Sequence, residues 1–327
     1  MAAQALSLVA LVCGIVLTIT MRGRMDLLHP TTIGSDPSNY YAAGQRLNVG
    51  HPLYALSPGD RPVPMDPPYL TCPLLSPPPI AVLWRVLALL PGYWAMTLWA
   101  LCGGLLLAAT AARIATRVSL IGAVLFLLVL KPVCLTTWSG NVNAYLTVLL
   151  VLVWIAEARG HSALAGAMAG VVVATKLVPA LLLVWFLAAG DRRAALAMIV
   201  AGVLVALLGL AGAGTGNHVA YLGVMRYTYD FGATPWSAPG VLERIGVPAH
   251  IAHNGILMVA ATGAALVVVL RRRPTAGFFV ALLAGVYSTP VASGRAMALA
   301  AVTPFLLSHS LLALRGAPAH QLTRRPT

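Results

Sequence analysis

Apolar runs close to membrane-spanning length alternate with short polar turns along most of the chain. Because a bilayer core of about 30 Å needs roughly 20 apolar residues per helix, the pattern predicts about ten membrane helices. Their expected positions are 3–21, 92–112, 118–136, 142–157, 162–175, 177–190, 194–213, 252–270, 276–291 and 296–314. The runs 162–175 and 177–190 are short, which favours a re-entrant or tilted pair. We therefore expect an all-α polytopic membrane protein with a single domain over residues 1–327.

Two longer, more polar stretches interrupt the apolar runs. The first, residues 22–91, is rich in proline, and its segment 79–90 is apolar but too short to cross a bilayer. One arginine and one tryptophan in that segment favour a helix lying in the membrane interface. The second stretch, residues 214–251, carries several aromatic and charged side chains. We interpret both stretches as long loops on one face of the membrane.

The arginines predict the orientation of the chain. Cytoplasmic turns of membrane proteins carry an excess of Lys and Arg, and with the N-terminus inside every short basic turn falls on the cytoplasmic side. Eleven of the 21 basic residues lie in these turns and in the cytoplasmic tail 315–327, namely Arg113, Arg117, Arg159, Arg192, Arg193, Arg271, Arg272, Arg273, Arg315, Arg324 and Arg325. Arg22 and Arg24 are exceptions, because they begin the first long loop. Both long loops are thus expected on the outer face of the cytoplasmic membrane.

The composition agrees with a membrane protein and excludes several other classes. The chain is 59% hydrophobic and 9% charged, whereas soluble domains carry about 25% charged residues. The net charge of +13 follows from the orienting arginines, so we do not expect a nucleic-acid partner. The four cysteines show neither metal-ligand spacing nor a disulfide framework. The first run lacks the basic flank and cleavage site of a signal peptide, so we expect it to be retained as a helix.

Carboxylates are scarce, which narrows the search for catalytic residues. The chain has eight, and Glu157 and Asp191 stand beside arginines at inner turns. Six fall in the outer segments, namely Asp26, Asp36, Asp60, Asp66, Asp230 and Glu243. Asp36 differs from the others because a helix-like sequence follows from Pro37, with Tyr40 on the same face. Two interpretations remain open at this point: Asp36 is the N-cap of that helix, or it performs chemistry.

Three cations stand near the expected outer ends of apolar helices: Lys131, Lys176 and Arg295. An ionisable residue within a membrane segment is costly, and it often marks a functional site. One interpretation is that these side chains bind a lipid phosphate, for which lysine is a competent partner. The alternative is that they extend to the headgroups and have no further role.

Polar and aromatic residues of the outer segments suit a carbohydrate site. Asn141 and Asn143 occupy a short outer turn, where their amides either bond sugar hydroxyls or cap the next helix. His51, Tyr54, Tyr227 and Trp236 lie in the two long loops. Anchors at the membrane interface use the same residue types, so composition alone does not separate the two roles.

Three motifs in order resemble glycosyltransferase family 87, a family of polyprenyl-phosphate-mannose-dependent membrane enzymes with the GT-C fold. The run Asp36-x3-Tyr40-x-Ala42-x7-Gly50-x3-Tyr54 looks like the family's first outer loop. Gly140-Asn141-Val142-Asn143 resembles its Gly-Gln/Asn-x-Asn turn, and Lys176-Leu177-Val178-Pro179 resembles its Lys-x-x-Pro helix start. The likeness is good over about residues 30–200 and looser afterwards. The family's late Ser-Pro motif, which is followed by Trp and His, has no full counterpart in residues 288–295.

The resemblance implies a GT-C-like helical bundle that transfers one sugar from a polyprenyl phosphate to a glycolipid or glycan. Transfer inverts the anomeric centre, needs no metal or other cofactor, and takes place on the outer face of the cytoplasmic membrane. By the same resemblance Asp36 is the general base. Lys176 is the first candidate for the donor phosphate, with Arg295 and Lys131 behind it. Sugar or acceptor contacts are expected from Tyr40, His51, Tyr54, Asp66, Asn141, Asn143, Arg226 and Tyr227.

Several alternatives accompany this hypothesis. A related branch uses decaprenyl-phosphate arabinose, so mannose and arabinose both remain possible donors. A lipid or sugar-lipid transporter would show paired internal repeats and charges near the bilayer midplane, and we find neither. An inactive glycolipid-binding scaffold would share the same groove. We expect the lipid bilayer, the donor and the acceptor as partners of a monomeric protein.

Overall fold

The computed structural model describes residues 36–55, 74, 76–115, 140–230 and 237–288. Within these ranges every regular element is helical, as the apolar pattern predicts. The helices are α1 (Asp36–Asn48), α2 (Pro78–Leu87), α3 (Gly92–Ala115), α4 (Asn143–Ala158), α5 (Ser162–Thr175), α6 (Leu182–Ala188), α7 (Arg192–Asp230), α8 (Ala238–Arg244), α9 (Ala249–Ala252), α10 (Gly255–Val269) and α11 (Pro274–Tyr287). Two 3₁₀ turns, Val178–Leu181 and Leu270–Arg272, precede α6 and follow α10.

Most of the predicted apolar runs that fall on described residues are helices with nearly the predicted limits. The helices α3, α4, α5, α10 and α11 each coincide closely with one run. The runs 3–21, 118–136 and 296–314 lie outside the described residues. An all-helical fold is therefore confirmed for the described part of the chain.

The number of membrane crossings is only partly answered by these helices. Among the described residues, Arg192–Met225 and Ala249–Arg272 are long and apolar enough to cross a bilayer. A third crossing is possible if Pro78–Leu87 and Gly92–Leu107, which meet at a bend of 117°, count as one broken span. The other apolar helices have 10–17 residues. The bundle of about ten membrane helices therefore stays a prediction.

The long helix α7 is broken at Gly214. This glycine has φ 80° and ψ 162°, values far from those of a helix. The first part, residues 192–213, is about 33 Å long at 1.5 Å per residue, close to the thickness of a bilayer core. We expected a loop from residue 214 onward, but the chain is again helical up to Asp230. The polar residues of this second part are therefore held on a helix rather than on a loop.

Small residues join α5 to α7 at close range. A Cβ added to Gly166 would overlap the carbonyl oxygen of Ala194, and one added to Gly170 would overlap that of Met198. Close backbone approach through small residues is typical of helix pairs in membranes. Because both contact positions advance by four residues, α5 and α7 run parallel.

This parallel pairing defines a helical hairpin in the middle of the chain. To reach the start of α7, the chain must return along α5, and the turn Val178–Leu181 with α6 provides that return. Residues 162–188 thus form two short antiparallel arms, in agreement with the predicted pair. Lys176 lies near the tip of this hairpin, between α5 and the turn.

An aromatic cluster places α1 across α2. The ring of Tyr40 lies 5.9 Å from that of Trp84, whose ring is 5.1 Å from Trp99. A Cβ on Gly44 would overlap the carbonyl oxygen of Trp84, so the two helices are in backbone contact. We predicted that residues 79–90 form a helix at the membrane interface. The helix is present and its Trp84 is fully buried beneath α1, whereas its place at the membrane interface stays a prediction.

Candidate functional site

The turn before α4 packs directly against the start of α1. Gly140 has φ +60°, and a Cβ at this position would overlap Pro37. The indole nitrogen of Trp99 donates a hydrogen bond of 2.8 Å to the Gly140 carbonyl oxygen. The turn is thereby fixed beside the first residue of α1, although the two segments are about one hundred residues apart in sequence.

Asn141 connects this turn to Asp36. Its Nδ2 donates a 2.8 Å hydrogen bond to Oδ2 of Asp36, while its Oδ1 accepts one of 2.8 Å from the backbone N–H of Asn143. Both ends of the amide are engaged, so its orientation follows from the network. Asn141 is 7% exposed. The side chain therefore does two things: it satisfies a free N–H at the start of α4, and it holds the carboxylate of α1.

Asn143 connects the same turn to Lys176. The side chain of Asn143 is fully buried, and its Oδ1 accepts a 3.0 Å hydrogen bond from Nζ of Lys176. Lys176 ends α5 in an extended conformation, with φ −154° and ψ 114°. The lysine therefore extends from the hairpin tip toward the first turn of α4, rather than toward the lipid headgroups alone.

The three motifs noted in the sequence thus meet in one place. A row of side chains runs from Asp36 through Asn141 and Asn143 to Lys176, held by the hydrogen bonds described above. The two asparagines are buried, whereas the carboxylate and the ammonium are each partly exposed. The site therefore presents a partly exposed carboxylate and a partly exposed ammonium beside two buried, uncharged asparagines.

Lys176 lies within the apolar depth of the protein. It follows Gly170 by six residues, and Gly170 contacts α7 at Met198. On parallel helices this places Lys176 about 15 Å short of the break at Gly214.

A second group of the predicted residues gathers at the other end of α1. The loop 50–55 and the segment of α7 beyond Gly214 enclose a cleft of about 650 Å³, and His51 and Tyr54 line it. The hydroxyl of Tyr54 donates a 2.7 Å hydrogen bond to the Ser76 carbonyl oxygen. Since α1 is about 18 Å long, this cleft is well separated from Asp36.

The remaining predicted site residues have other positions. Tyr40 is 3% exposed and packs against Trp84, so the structure gives it a packing role and its sugar contact stays a prediction. Arg226 and Tyr227 belong to the backbone of α7, and their side chains lie outside the described part. Three further predictions fall entirely outside the described residues: Asp66, Lys131 and Arg295.

Two functional candidates were missed from the sequence. Arg46 is 7% exposed and bonds the carbonyl oxygens of Pro52 and Ala55, which shapes the loop 50–55. Its spacing of three residues from Ala43 places it on the buried stripe of α1. An arginine at such a position could have been recognised from the sequence as a buried, hydrogen-bonded residue. Asn217 of α7 accepts a 2.8 Å hydrogen bond from the Leu53 N–H. Only the fold reveals this second contact, which joins residues 164 positions apart.

The described residues offer no obvious metal site. In that part of the chain no three His, Cys, Asp or Glu side chains come together in a way that would hold an ion. Cys102, on α3, is a free and exposed thiol.

Comparison with known proteins identifies one family. The family model of glycosyltransferase family 87 matches residues 75–294, which is more than half of the chain. No curated protein and no solved structure gives a significant match. The matched region includes Asn141, Asn143 and Lys176 but begins after Asp36, so the place of Asp36 in the site depends on the geometry described above.

Proposed function

The chain belongs to glycosyltransferase family 87 and is a glycosyltransferase, and we propose that it moves one sugar, with mannose as the first choice, from a polyprenyl phosphate to a glycolipid or cell-envelope glycan. The acceptor oxygen attacks the anomeric carbon and the bond from that carbon to the phosphate oxygen breaks. A single displacement of this type inverts the anomeric centre. Membership of a transferase family also favours this activity over the transporter that we considered as an alternative.

In this proposal Asp36 is the general base. Its carboxylate takes the proton of the acceptor hydroxyl as the new bond forms, a contribution typically worth about 10²–10⁴ in rate. Asn141 holds one carboxylate oxygen at 2.8 Å, so the base is oriented before the substrate arrives. The partial exposure of Asp36 lets an acceptor hydroxyl reach it.

Lys176 is proposed to bind the donor phosphate. The leaving polyprenyl phosphate carries the negative charge that the displacement releases, and a fixed cation lowers the energy of that charge. Asn143 positions the ammonium through a 3.0 Å hydrogen bond. Lys131 and Arg295, which lie outside the described residues, remain further candidates for the same phosphate.

One observation carries the proposal: the hydrogen-bonded row that links Asp36 to Lys176 through Asn141 and Asn143. The row brings a carboxylate and an ammonium into one site, which supports the proposal because a single displacement needs a base and a cation for the leaving phosphate. We further propose that the site faces the outer side of the cytoplasmic membrane. The arginine-rich turns are expected on the cytoplasmic side, and the segments that carry the site are expected on the opposite side. A monomer suffices, since all four side chains come from one chain.

The test is sugar transfer by membranes that contain the wild type or the Asp36→Asn variant. Radiolabelled polyprenyl-phosphate mannose and polyprenyl-phosphate arabinose are supplied in parallel, which also decides between the two sugars. Asparagine keeps an acceptor oxygen for Asn141 and is itself a good helix cap, so the fold should survive while the rate falls by about 10²-fold or more.

A matched control removes a carboxylate elsewhere. Glu243→Gln changes a residue of α8 and should leave transfer unchanged. Equal product from wild type and Asp36→Asn would show that Asp36 is not the base. If wild type transfers neither sugar, the proposed donor class is wrong.

A further inference from the structure

The cleft at the far end of α1 is a second site that the reaction itself does not use. We propose that it binds a carbohydrate segment of the acceptor, several sugar units away from the hydroxyl that reacts. This inference rests on the proposed function, because it assumes that the acceptor is a glycan or a glycolipid with a sugar chain. The volume of about 650 Å³ lies in the range of about 300–1,000 Å³ that is usual for ligand sites.

The wall of the cleft is rigid before any ligand binds. Arg46, almost fully buried, bonds the carbonyl oxygens of Pro52 and Ala55 from one side. From the other side, Asn217 accepts the hydrogen bond of the Leu53 N–H. A loop held in this way loses little conformational entropy when a ligand binds, which favours affinity for a flexible chain.

The lining combines the groups that recognise sugars. Tyr54 offers an aromatic face, supported by Tyr221 at a ring distance of 5.7 Å, and His51 adds an imidazole. The Nδ2 of Asn217 donates one hydrogen bond to the Ala213 carbonyl oxygen, and its Oδ1 accepts one from the Leu53 N–H. Because an amide has two donors and two acceptor sites, these bonds leave one of each for a pair of neighbouring hydroxyls.

Small residues make room for a bulky ligand. Gly216, Ala220 and Gly223 line one side of the cleft, and their spacing of four and three residues places them on one face of α7. A Cβ added to Gly216 or Gly223 would meet nothing within 4 Å. This face is therefore open, not packed against another element of the described structure.

Two observations favour a sugar chain over the lipid chain of the donor. The cleft face of α7 lies beyond Gly214, outside the part of about 33 Å that fits the bilayer core. The opposite face of the same helical segment carries Leu222, 59% exposed, which is suited to contact the membrane interface. The cleft therefore opens at the polar end of the protein, about 18 Å along α1 from Asp36.

The cleft can be filled without disturbing the fold. Gly216→Leu projects into open space, because a Cβ at this position meets nothing within 4 Å, and it changes only the first turn of the segment after Gly214. Leu222→Phe, which adds bulk on the outward face of the same segment, is the matched control. The probes are linear manno-oligosaccharides and arabino-oligosaccharides of one to four units, titrated by calorimetry into the full-length purified protein.

We expect wild type and Leu222→Phe to bind longer oligosaccharides more tightly than the single sugar. Gly216→Leu should lose at least about tenfold in affinity for the longest one, corresponding to roughly 1.4 kcal/mol. Equal length dependence in Gly216→Leu and wild type would overturn the proposal, and so would the absence of oligosaccharide binding by wild type. If Gly216→Leu instead weakens only the binding of decaprenyl phosphate, the cleft holds lipid and the proposal is wrong.

The transfer assay separates this inference from the proposed function. Length-dependent binding that Gly216→Leu abolishes, without transfer of either sugar, would support the cleft as a carbohydrate site and contradict the proposed donor class. Transfer that depends on Asp36, with oligosaccharide binding unaffected by Gly216→Leu, would contradict the cleft alone. The Asp36→Asn variant should bind the oligosaccharides as wild type does, because the two sites are well separated.

Discussion

Replacing the neutral amide of Asn143 with a carboxylate is a sensitive test of the phosphate site. Asn143→Asp is nearly isosteric, so the new side chain still accepts the hydrogen bond that Lys176 now gives at 3.0 Å. The fold should therefore be kept, and the ammonium should remain in place. What changes is the charge beside it, since the side chain becomes an anion that competes with the donor phosphate for the same lysine.

The size of the effect follows from the geometry. A phosphate oxygen in hydrogen-bond contact with Nζ of Lys176, on the side away from residue 143, lies about 6 Å from the new carboxylate, given two contacts of about 3 Å. With an effective dielectric constant of about 20, two like charges at that distance repel by roughly 3 kcal/mol. This corresponds to a rise of about 100-fold in the dissociation constant of the donor.

The assay measures the KM for polyprenyl-phosphate mannose at a fixed, saturating acceptor concentration. Asn254→Asp, which adds the same charge at an exposed turn before α10, is the control and should leave KM unchanged. An unchanged donor KM for Asn143→Asp in a folded protein would refute the placement of the phosphate on Lys176. A fall in kcat together with the rise in KM would also agree with this placement, because Lys176 is proposed to stabilise the charge that develops on the leaving phosphate.

Two pairs of glycines test whether close packing contacts contribute to stability. Gly140→Ala should lower the free energy of unfolding by about 1–3 kcal/mol through overlap with Pro37, beyond the cost of about 1–2 kcal/mol for a Cβ in a left-handed conformation. Gly160 also has a positive φ, but a Cβ there would meet nothing within 4 Å. In chemical denaturation, Gly160→Ala should therefore lose less unfolding free energy than Gly140→Ala. Similar losses in the two variants would exclude the contact between residue 140 and Pro37. Gly170→Ala should destabilise the protein, because its Cβ would overlap α7. Gly202→Ala should cost little stability, because its nearest neighbour lies at 3.6 Å. Equal melting temperatures of the two variants would contradict the close pairing of α5 and α7.

The local parts of the fold are predictable because their causes are local. A helix satisfies its own backbone hydrogen bonds within four residues, and in a membrane no other partner is present. An apolar run bounded by polar turns therefore predicts both the type and the limits of helices such as α4, α5 and α11. The break at Gly214 was mistaken for a helix end, since a glycine followed by polar residues has the same signature in both cases.

The candidate site was predictable as a set of residue types but not as an arrangement. Asp36, Asn141, Asn143 and Lys176 stand out as polar residues in an apolar chain, and the motifs resemble those of the family. Their individual roles stayed open, because Asn141 caps a helix and bonds the carboxylate at the same time. No local sequence pattern distinguishes an asparagine that only caps a helix from one that also bonds a distant carboxylate.

The apolar pattern was enough to predict a helical protein suited to a membrane, the limits of most of the described helices, and the few polar side chains available for chemistry. Three features needed the folded chain: Asp36 and Lys176 are linked through two asparagines, Tyr40 packs in the core, and Arg46 shapes the cleft beside the loop 50–55. The physical reason is the range of the interactions. Helices follow from hydrogen bonds within one turn, whereas the site depends on contacts such as Asp36 to Asn141, which are made by packing segments more than a hundred residues apart.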